Sequence, residues 1–298
     1  MLRSWITAFR LRTLPLALAS IGMGTFMAAV DGYFSWSVFA FCALTTVLLQ
    51  ILSNLANDYG DTVNGADSEH RSGPARTVQA GLISLKAMKT AIGLFVVLTL
   101  ISGTYLLYLS FGFRLEAFLF FFGLGIAAIL AALAYTAGRK PYGYIGLGDL
   151  SVVIFFGFVA VLGSYYLYGE SIRTDLILPA ISIGLFSTAV LNVNNIRDIE
   201  SDRQAGKYSI PVRIGRKNAV IYHWIILTVG MLSSLVFVLL NFSSPWQFLF
   251  LLTTPLLIVN ARAVKTKQTS DQLDPFLKQM ALSSLLFVIL FGLGQLLA

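Results

Sequence analysis

The chain of 298 residues is 57% hydrophobic and only 12% charged, and it carries a formal net charge of +7 at pH 7. Soluble domains usually have about 25% charged residues, and the mean hydropathy here is +0.78. This composition argues against a soluble globular protein and indicates a protein that lies in a membrane.

Apolar stretches long enough to cross a membrane recur along the whole chain. A helix of about 20 apolar residues crosses a hydrocarbon core of about 30 Å, whereas membrane β-barrels show shorter stretches of alternating polarity. The pattern therefore predicts an all-α integral membrane protein. The nine predicted spans lie near residues 14–32, 36–56, 87–109, 115–136, 150–168, 175–195, 219–241, 246–264 and 279–297.

The first apolar segment follows a basic N-terminal stretch, as the apolar part of a signal peptide does. It is long enough to span the membrane and further spans follow it, so we predict the first membrane helix rather than a cleaved signal. The lone cysteine, Cys42, lies in the second predicted span. A single cysteine excludes a disulfide within the chain and a CxxC site.

Basic residues divide unevenly between the two sides of the membrane when nine spans are threaded alternately. One side has only Arg114 and Arg173, and every other Lys and Arg lies on the opposite side. Because positive residues concentrate in cytoplasmic loops, we predict a cytoplasmic N-terminus and an external C-terminus. Topology and membrane lipid then account for most of the positive charge, and nucleic acid is not an expected partner.

Two similar polar motifs follow the second and sixth predicted spans. Each has an Asn and an Asp four residues apart and a further Asp about one turn later, so each set is predicted to share a helix face. The motif positions are Asn54, Asp58 and Asp61 in the first and Asn194, Asp198 and Asp202 in the second. The repeat indicates one domain, residues 1–298, with related halves formed by helices 1–4 and 5–8, plus a ninth helix.

These motif residues predict a magnesium site. For any one Asp, the simple alternative is a loop residue that is exposed to water. Here, however, polar side chains extend back into apolar spans, and such groups usually face a cavity or a cation because ionised groups are costly in lipid. Carboxylate and amide oxygens suit Mg²⁺, which leaves positions for phosphate and water. We therefore predict Mg²⁺ bound at both motifs, beside a central cavity that opens to the cytoplasmic side.

Basic residues in the same cytoplasmic loops are candidates for binding a diphosphate. Charge-assisted hydrogen bonds from Arg and Lys are the usual means of holding phosphate oxygens. For any single residue, ordinary surface charge is an equally good interpretation. The candidates are Arg71, Arg76, Lys140, Arg197, Lys207 and Arg213.

The two motifs resemble those of the UbiA superfamily of intramembrane aromatic prenyltransferases. They read NDYGD at 57–61 and DIESD at 198–202. Three longer stretches are similar to the bacterial branch that prenylates 1,4-dihydroxy-2-naphthoate: LSNLANDYGD at 52–61, KPYGYIGLGDL at 140–150 and FFGFVAVLGSYYL at 155–167. One departure is Gly65, where the superfamily pattern has a third acid. The next acid, Asp67, is therefore a doubtful ligand.

The resemblance implies an enzyme of the bacterial cytoplasmic membrane that uses Mg²⁺ to transfer a polyprenyl group from polyprenyl diphosphate to 1,4-dihydroxy-2-naphthoate. Diphosphate and CO₂ would leave, and demethylmenaquinol would form for menaquinone biosynthesis. The catalytic residues would be the aspartates Asp58, Asp61, Asp198 and Asp202. A 4-hydroxybenzoate or haem-farnesylating enzyme is the alternative within the superfamily. A transporter is the alternative outside it, although transporters place polar groups near the bilayer midplane.

Four further residues are predicted to contact the acceptor. The resemblance places them near the reacting ring, where aromatic faces also stabilise a cation. An interfacial aromatic belt explains the tyrosines equally well, and an acid at a helix N-terminus explains Asp149. The four are Asn57, Tyr142, Tyr144 and Asp149.

Overall fold

A computed structural model describes residues 2–65, 76–138, 140–171 and 173–298. Within those residues, nine helices are long and apolar enough to span a membrane, so the predicted all-α membrane fold is confirmed. We label them α1 (Leu2–Val30), α2 (Trp36–Val63), α3 (Leu85–Phe111), α4 (Leu115–Ala134), α5 (Gly148–Gly169), α6 (Thr174–Arg197), α7 (Ile210–Leu240), α8 (Pro245–Thr266) and α9 (Ser270–Leu296).

Local sequence explains where several helices begin and end. The Ser84 hydroxyl accepts a hydrogen bond from the backbone N–H of Ala87 at the start of α3, and Ser244 and Gln247 form a reciprocal capping box at the start of α8. These caps satisfy backbone N–H groups that have no partner within the helix. Gly112 has a φ of 56° and follows the last residue of α3. Only glycine adopts this backbone region readily, so it stops the helix there.

Several of the nine helices are irregular, among them α8, which begins with a 3₁₀ segment at Pro245–Thr253. The first is interrupted by Arg10, which has a φ of 48°, and by a 3₁₀ turn at Leu11–Thr13. The fifth contains a π-helical segment at Val153–Leu162. The seventh starts nine residues before the apolar run predicted at 219–241, and Gly215, with a φ of 77°, interrupts it. Polar residues within 210–218 lower the hydropathy of this amphipathic first part, so the prediction based on hydropathy did not include it.

The sixth helix lies at the centre of the bundle. It contacts α5, α7 and α9, and a larger share of it is buried than of any other described span, whereas α4 is the least buried. Phe186 of α6 packs edge-to-face on Phe287 of α9, with ring centroids 4.9 Å apart. Gly157 of α5 lies so close to α6 that a Cβ would meet the Ala180 carbonyl oxygen at 2.7 Å. Close packing of this kind fixes the position of the second motif, which follows α6.

Candidate functional site

The first motif lies on one continuous helix, as predicted. The helix α2 extends to Val63, so that Asn54, Asp58 and Asp61 fall on one of its faces, and all three are buried. Spacings of four and three residues correspond to about one helical turn, which explains the alignment. The burial of two carboxylates at a helix end shows that they are not wetted loop residues.

Asp58 has one oxygen bound and one oxygen without a donor. The Thr77 hydroxyl donates to Asp58 Oδ2 at 2.6 Å. Asp58 Oδ1 is buried, and no described residue donates a hydrogen bond to it. A buried acceptor without a partner is costly, so such an atom commonly marks a bound cation or water. Thr77 has no distinctive sequence signal, and sequence analysis did not find it.

Asp61 is bound from two sides. Arg76 Nη2 lies 2.6 Å from Asp61 Oδ2, and the Tyr144 hydroxyl donates to Asp61 Oδ1 at 2.8 Å. Arg76 also donates through Nη1 to the Asn57 carbonyl oxygen at 2.6 Å. Arg76 therefore contacts the first motif directly, and so does Tyr144, whose contact with the acceptor stays a prediction.

The two asparagines of the first motif connect it to other segments. The Asn54 amide donates to the Phe9 carbonyl oxygen and to the Thr13 hydroxyl, both at 3.0 Å. Asn57 Oδ1 accepts from the Thr136 hydroxyl at 3.2 Å. These bonds hold α2 against the N-terminal part of α1 and against the residues that follow α4. The roles of Asn54 as a metal ligand and Asn57 as an acceptor contact stay predictions.

Gly60, between the two acids of the first motif, permits a close contact with the segment after α4. A Cβ at this position would meet Thr136 Oγ1 at 2.5 Å and the Thr136 carbonyl carbon and oxygen at 2.7 Å. Real side chains do not approach backbone atoms this closely, so a glycine is required here if α2 is to keep its place.

The second motif lies across a distortion of the backbone at Asp198 rather than on one regular helix. The helix α6 ends at Arg197, Asp198 has φ −101° and ψ 12°, and a separate short helix spans Ile199–Gln204. The Asp198 N–H donates to the Asn194 carbonyl oxygen at 3.1 Å, and the Asp202 N–H donates to the Asp198 carbonyl oxygen at 2.8 Å. These bonds between residues four apart keep the helical spacing of the three motif residues across the distortion. Both carboxylates are buried.

Arg197 binds both sides of the second motif. Its Nε and Nη2 donate to the two oxygens of Asp198 at 2.8 and 2.7 Å, and Nη2 also donates to Asn194 Oδ1 at 2.9 Å. Its Nη1 donates to Asp274 Oδ1 of α9 at 2.6 Å. Such two-point contacts between a guanidinium and a carboxylate are strong and directional. The structure therefore pairs Arg197 with carboxylates, and its predicted contact with phosphate stays a prediction.

Lys207 joins the two motifs electrostatically. Its Nζ lies 3.3 Å from Asp202 Oδ1 and 5.9 Å from the centre of the Tyr144 ring, and Tyr144 in turn donates to Asp61. Burial lowers the pKa of Lys207, but the charges of Asp202 and Asp61 outweigh burial and raise it overall. The two motifs, separated by 140 residues in the chain, thus meet around one ammonium group.

Asp202 resembles Asp58 in keeping one oxygen without a donor. Its Oδ2 is buried and receives no hydrogen bond from a described residue. Burial raises the pKa of Asp202 to about 6, and Lys207 partly offsets this effect. The carboxyl group is therefore suited to accept a second cation.

The other predicted site residues differ in their surroundings. Arg213 donates to the carbonyl oxygens of Tyr208 and Ile145, at 2.9 and 2.8 Å, and so fixes two loop segments. Lys140 is exposed. Asp149 Oδ2 accepts from the Tyr222 hydroxyl at 2.9 Å. Arg71, predicted to bind diphosphate, and the doubtful ligand Asp67 lie outside the described residues.

An apolar cavity of about 400 Å³ lies among α1 to α6 and reaches the first motif. Asn54 and Asn57 line it at that end together with Tyr142, whose hydroxyl donates to the Ala131 carbonyl oxygen at 2.9 Å. Aliphatic and aromatic side chains line most of the remainder, including Phe156. A cavity of this kind accommodates an apolar ligand whose polar end lies at the motif.

The residues of the two motifs fit a magnesium ion that is only partly coordinated by protein. No three Asp, Glu, His or Cys side chains among the described residues come close enough to form a complete metal cage. Mg²⁺ commonly binds one or two carboxylates and completes its shell with water and phosphate oxygens. The free oxygens of Asp58 and Asp202 match that incomplete type of site.

The sequence matches a known protein family over most of its length. The model of the UbiA prenyltransferase family matches residues 16–285. The chain belongs to this family. The membership confirms the predicted superfamily and the predicted class of enzyme, a prenyltransferase of the UbiA family.

Curated relatives confirm the predicted resemblance to the 1,4-dihydroxy-2-naphthoate branch of the UbiA family. The chain is 47% identical to a 1,4-dihydroxy-2-naphthoate octaprenyltransferase of Haemophilus influenzae, over 99% of this chain and 96% of the relative. It is 45% identical to the enzyme of the same name from Escherichia coli K12, over 98% of this chain and 94% of the relative.

Solved structures of UbiA homologues share the fold. A homologue from Aeropyrum pernix K1 aligns with a TM-score of 0.68 at 18% identity, covering 95% of this chain and 96% of that one. A homologue from Archaeoglobus fulgidus, bound to GPP and Mg²⁺, aligns with a TM-score of 0.68 at 14% identity, covering 99% and 100%. At these identities the likeness establishes the fold alone.

Proposed function

We propose that this UbiA-family enzyme transfers a polyprenyl group from polyprenyl diphosphate to 1,4-dihydroxy-2-naphthoate, with loss of diphosphate and CO₂. The product would be demethylmenaquinol, in menaquinone biosynthesis. The observation that carries the proposal is the 47% identity, over nearly the full length of both chains, to a relative named for this acceptor. The paired acidic motifs beside an apolar cavity agree with it.

The two motifs would hold Mg²⁺ together with the diphosphate. Asp58 and Asp202 each have a free buried oxygen for this purpose. Asp61 and Asp198 would complete the sites, with Asn54 and Asn194 as additional oxygen donors. Bound Mg²⁺ would neutralise the negative charge that develops on diphosphate as its bond to the prenyl carbon breaks.

Cationic side chains lie beside the carboxylates. They would be within reach of a diphosphate that is held with Mg²⁺ at those carboxylates. Arg76 contacts Asp61, and Lys207 contacts Asp202. Both are buried or nearly so, which strengthens charge-assisted bonds to phosphate oxygens. Arg71, Lys140, Arg197 and Arg213 stay weaker candidates for the same role.

The apolar cavity would hold the reacting ends of both substrates and keep water away. The carbon–oxygen bond of the prenyl diphosphate breaks, and the electron-rich acceptor ring forms a new carbon–carbon bond to the prenyl carbon. Water in the cavity would instead convert the allylic cation to an alcohol, so an apolar lining favours the transfer. Asn57 and Tyr142, both predicted to contact the acceptor, line this cavity.

We also propose that the protein lies in the bacterial cytoplasmic membrane with its N-terminus inside and its C-terminus outside. The uneven distribution of Lys and Arg supports this orientation. The motifs, and the end of the cavity that they border, would then face the cytoplasm, where a diphosphate is available from water.

Acceptor labelled with ¹⁴C at the carboxyl carbon tests the proposed reaction. If the prenyl group bonds to the ring carbon that bears the carboxylate, expulsion of CO₂ restores the aromatic ring, and one labelled CO₂ leaves for each prenyl group transferred. A reaction at another ring carbon loses a proton and keeps the label in the lipid product. Retained label, or a preference for 4-hydroxybenzoate, would reject the proposed acceptor while leaving the family assignment intact.

A further inference from the structure

An acidic residue of α9, Asp274, lies between two arginines that belong to distant parts of the chain. Arg12 Nη1 donates to Asp274 Oδ2 at 2.8 Å, and Arg197 Nη1 donates to Asp274 Oδ1 at 2.6 Å. The separations along the chain are 262 and 77 residues. Asp274 was not a candidate from sequence, because a lone acid near the start of a membrane helix is an ordinary interfacial residue.

The contacts of Arg197 make this pairing relevant to the second motif. The side chain of Arg197 is 2% exposed. It donates to both carboxylate oxygens of Asp198 and to the side-chain oxygen of Asn194. The guanidinium group is planar and rigid, so a bond to one nitrogen restrains the direction of the others. Asp274 therefore restrains the orientation in which Arg197 presents its remaining donors to the motif.

Asp198 has particular need of such support. It lies at the break between α6 and the short helix Ile199–Gln204, whereas Asp58 and Asp61 are held within the continuous helix α2. Arg197 binds both oxygens of the Asp198 carboxylate and so restrains its orientation. Ligand groups of metal sites commonly depend on such outer partners for their orientation.

We infer that Asp274 is a positioning residue for the second motif: through Arg197 it fixes the Asp198 carboxylate and the Asn194 amide in the geometry that binds Mg²⁺ with diphosphate. The inference rests on the proposed function. Arg12 neutralises the outer oxygen of Asp274, so that the network contains two arginines and two aspartates and is balanced in charge. Asp274 itself touches neither Asp198 nor substrate.

A purely structural role for Asp274 makes a different prediction. The ion pairs also join α9 to α6 and to the turn at Leu11–Thr13, so their loss would lower thermal stability in either case. Only a positioning role changes the Mg²⁺ concentration required for diphosphate binding. Moreover, the change must disappear when Arg197 is absent, because Arg197 transmits the effect.

The experiment measures Mg²⁺-dependent binding of a non-reacting prenyl thiodiphosphate to the purified full-length protein by isothermal titration calorimetry. Asp274→Ala is expected to raise the Mg²⁺ concentration for half-saturation about tenfold, the usual order for loss of an outer partner of a metal ligand. Asp274→Asn keeps a hydrogen-bond acceptor for Arg197, so a smaller rise is expected; this variant carries the test if Asp274→Ala does not fold. Asp271→Ala, an exposed acid one turn earlier in α9, is the matched control and is expected to behave as wild type.

A double-mutant cycle completes the test. In an Arg197→Ala background, adding Asp274→Ala is expected to change the Mg²⁺ requirement less than about twofold, since the two changes interrupt one network. Unchanged Mg²⁺ dependence in folded Asp274→Ala or Asp274→Asn, or an equal effect with and without Arg197, would overturn the inference. Failure of the wild-type protein to bind the analogue with Mg²⁺ would instead reject the proposed metal site, and the positioning role with it.

Discussion

The contact between Gly60 and Thr136 gives a sharp test of how closely the site depends on helix packing. In Gly60→Ala, the new Cβ would lie 2.7 Å from the carbonyl carbon and oxygen of Thr136. Ordinary contact begins near 3.4 Å, so α2 and the segment after α4 must separate by about 0.7 Å. Thr136 cannot easily move alone, because its carbonyl oxygen accepts from Asn64 at 2.7 Å and its hydroxyl donates to the Ala56 carbonyl oxygen at 3.1 Å.

The expected cost follows from this displacement. Overpacking of a closely packed interior typically costs about 1–3 kcal/mol, which exceeds or cancels the gain of up to about 1 kcal/mol from the better helix propensity of Ala. The two acids that flank Gly60, Asp58 and Asp61, move with α2. Because displacements near 1 Å at a reaction site can cost about 10²-fold in rate, we expect prenyl transfer to fall roughly 10- to 100-fold.

The assay compares Gly60→Ala with Gly93→Ala. Gly93 is exposed within α3, and a Cβ there would meet nothing within 4 Å, so the same substitution is made without a clash. Both variants are purified in detergent, and initial rates of prenyl transfer are measured at saturating Mg²⁺ beside thermal unfolding. Gly93→Ala should keep wild-type activity. Wild-type activity and stability in Gly60→Ala would refute the argument that α2 is fixed by this contact.

Three further predictions concern single contacts of the site and the topology. Tyr144→Phe removes the hydrogen bond to Asp61 but keeps the ring near Lys207. Because a hydrogen bond to a charged group contributes about 1.5–3 kcal/mol, we expect the rate of prenyl transfer to fall at least about tenfold. The control is Tyr208→Phe at an exposed position, and equal rates in the two variants would contradict this role of Tyr144. The pKa of Asp202 is raised to about 6, so this carboxylate binds a proton below that pH and protons compete with Mg²⁺ there. The affinity for Mg²⁺ should therefore weaken as the pH falls through 6. An Mg²⁺ titration that is the same at pH 7 and pH 5.5 would argue against Asp202 as a ligand. In a variant with Cys42 replaced by Ser, Lys217→Cys should react with an impermeant thiol reagent only from the cytoplasmic side and Ala298→Cys only from outside; the reverse pattern would invert the orientation.

Features that depend on pattern and local spacing could be predicted from the sequence. Nine apolar runs predicted nine spans, and the spacing of Asn54, Asp58 and Asp61 predicted their common face, because both follow from regular helix geometry. The related halves, helices 1–4 and 5–8, stay a prediction.

Features that depend on contacts between distant segments could not be predicted. The distortion of the backbone at Asp198 was not predicted, since residues 198–204 have no glycine or proline that would signal it. Thr77 and Asp274 are ordinary residues in sequence and acquire their roles only through the side chains that fold against them. Tyr144 was recognised as a site residue, but its partner, Asp61, is 83 positions away.

The Mg²⁺ dependence of prenyl transfer in the wild-type, Asp58→Ala and Asp202→Ala proteins tests the central claim most directly. We predict that wild-type turnover of polyprenyl diphosphate and 1,4-dihydroxy-2-naphthoate stops in EDTA and returns with excess Mg²⁺. Each variant should fold but lose about 10²-fold or more in rate, because one buried carboxylate that holds the metal is gone. Full activity in EDTA, or a loss smaller than about tenfold in both folded variants, would contradict a diphosphate site held by magnesium at the two motifs.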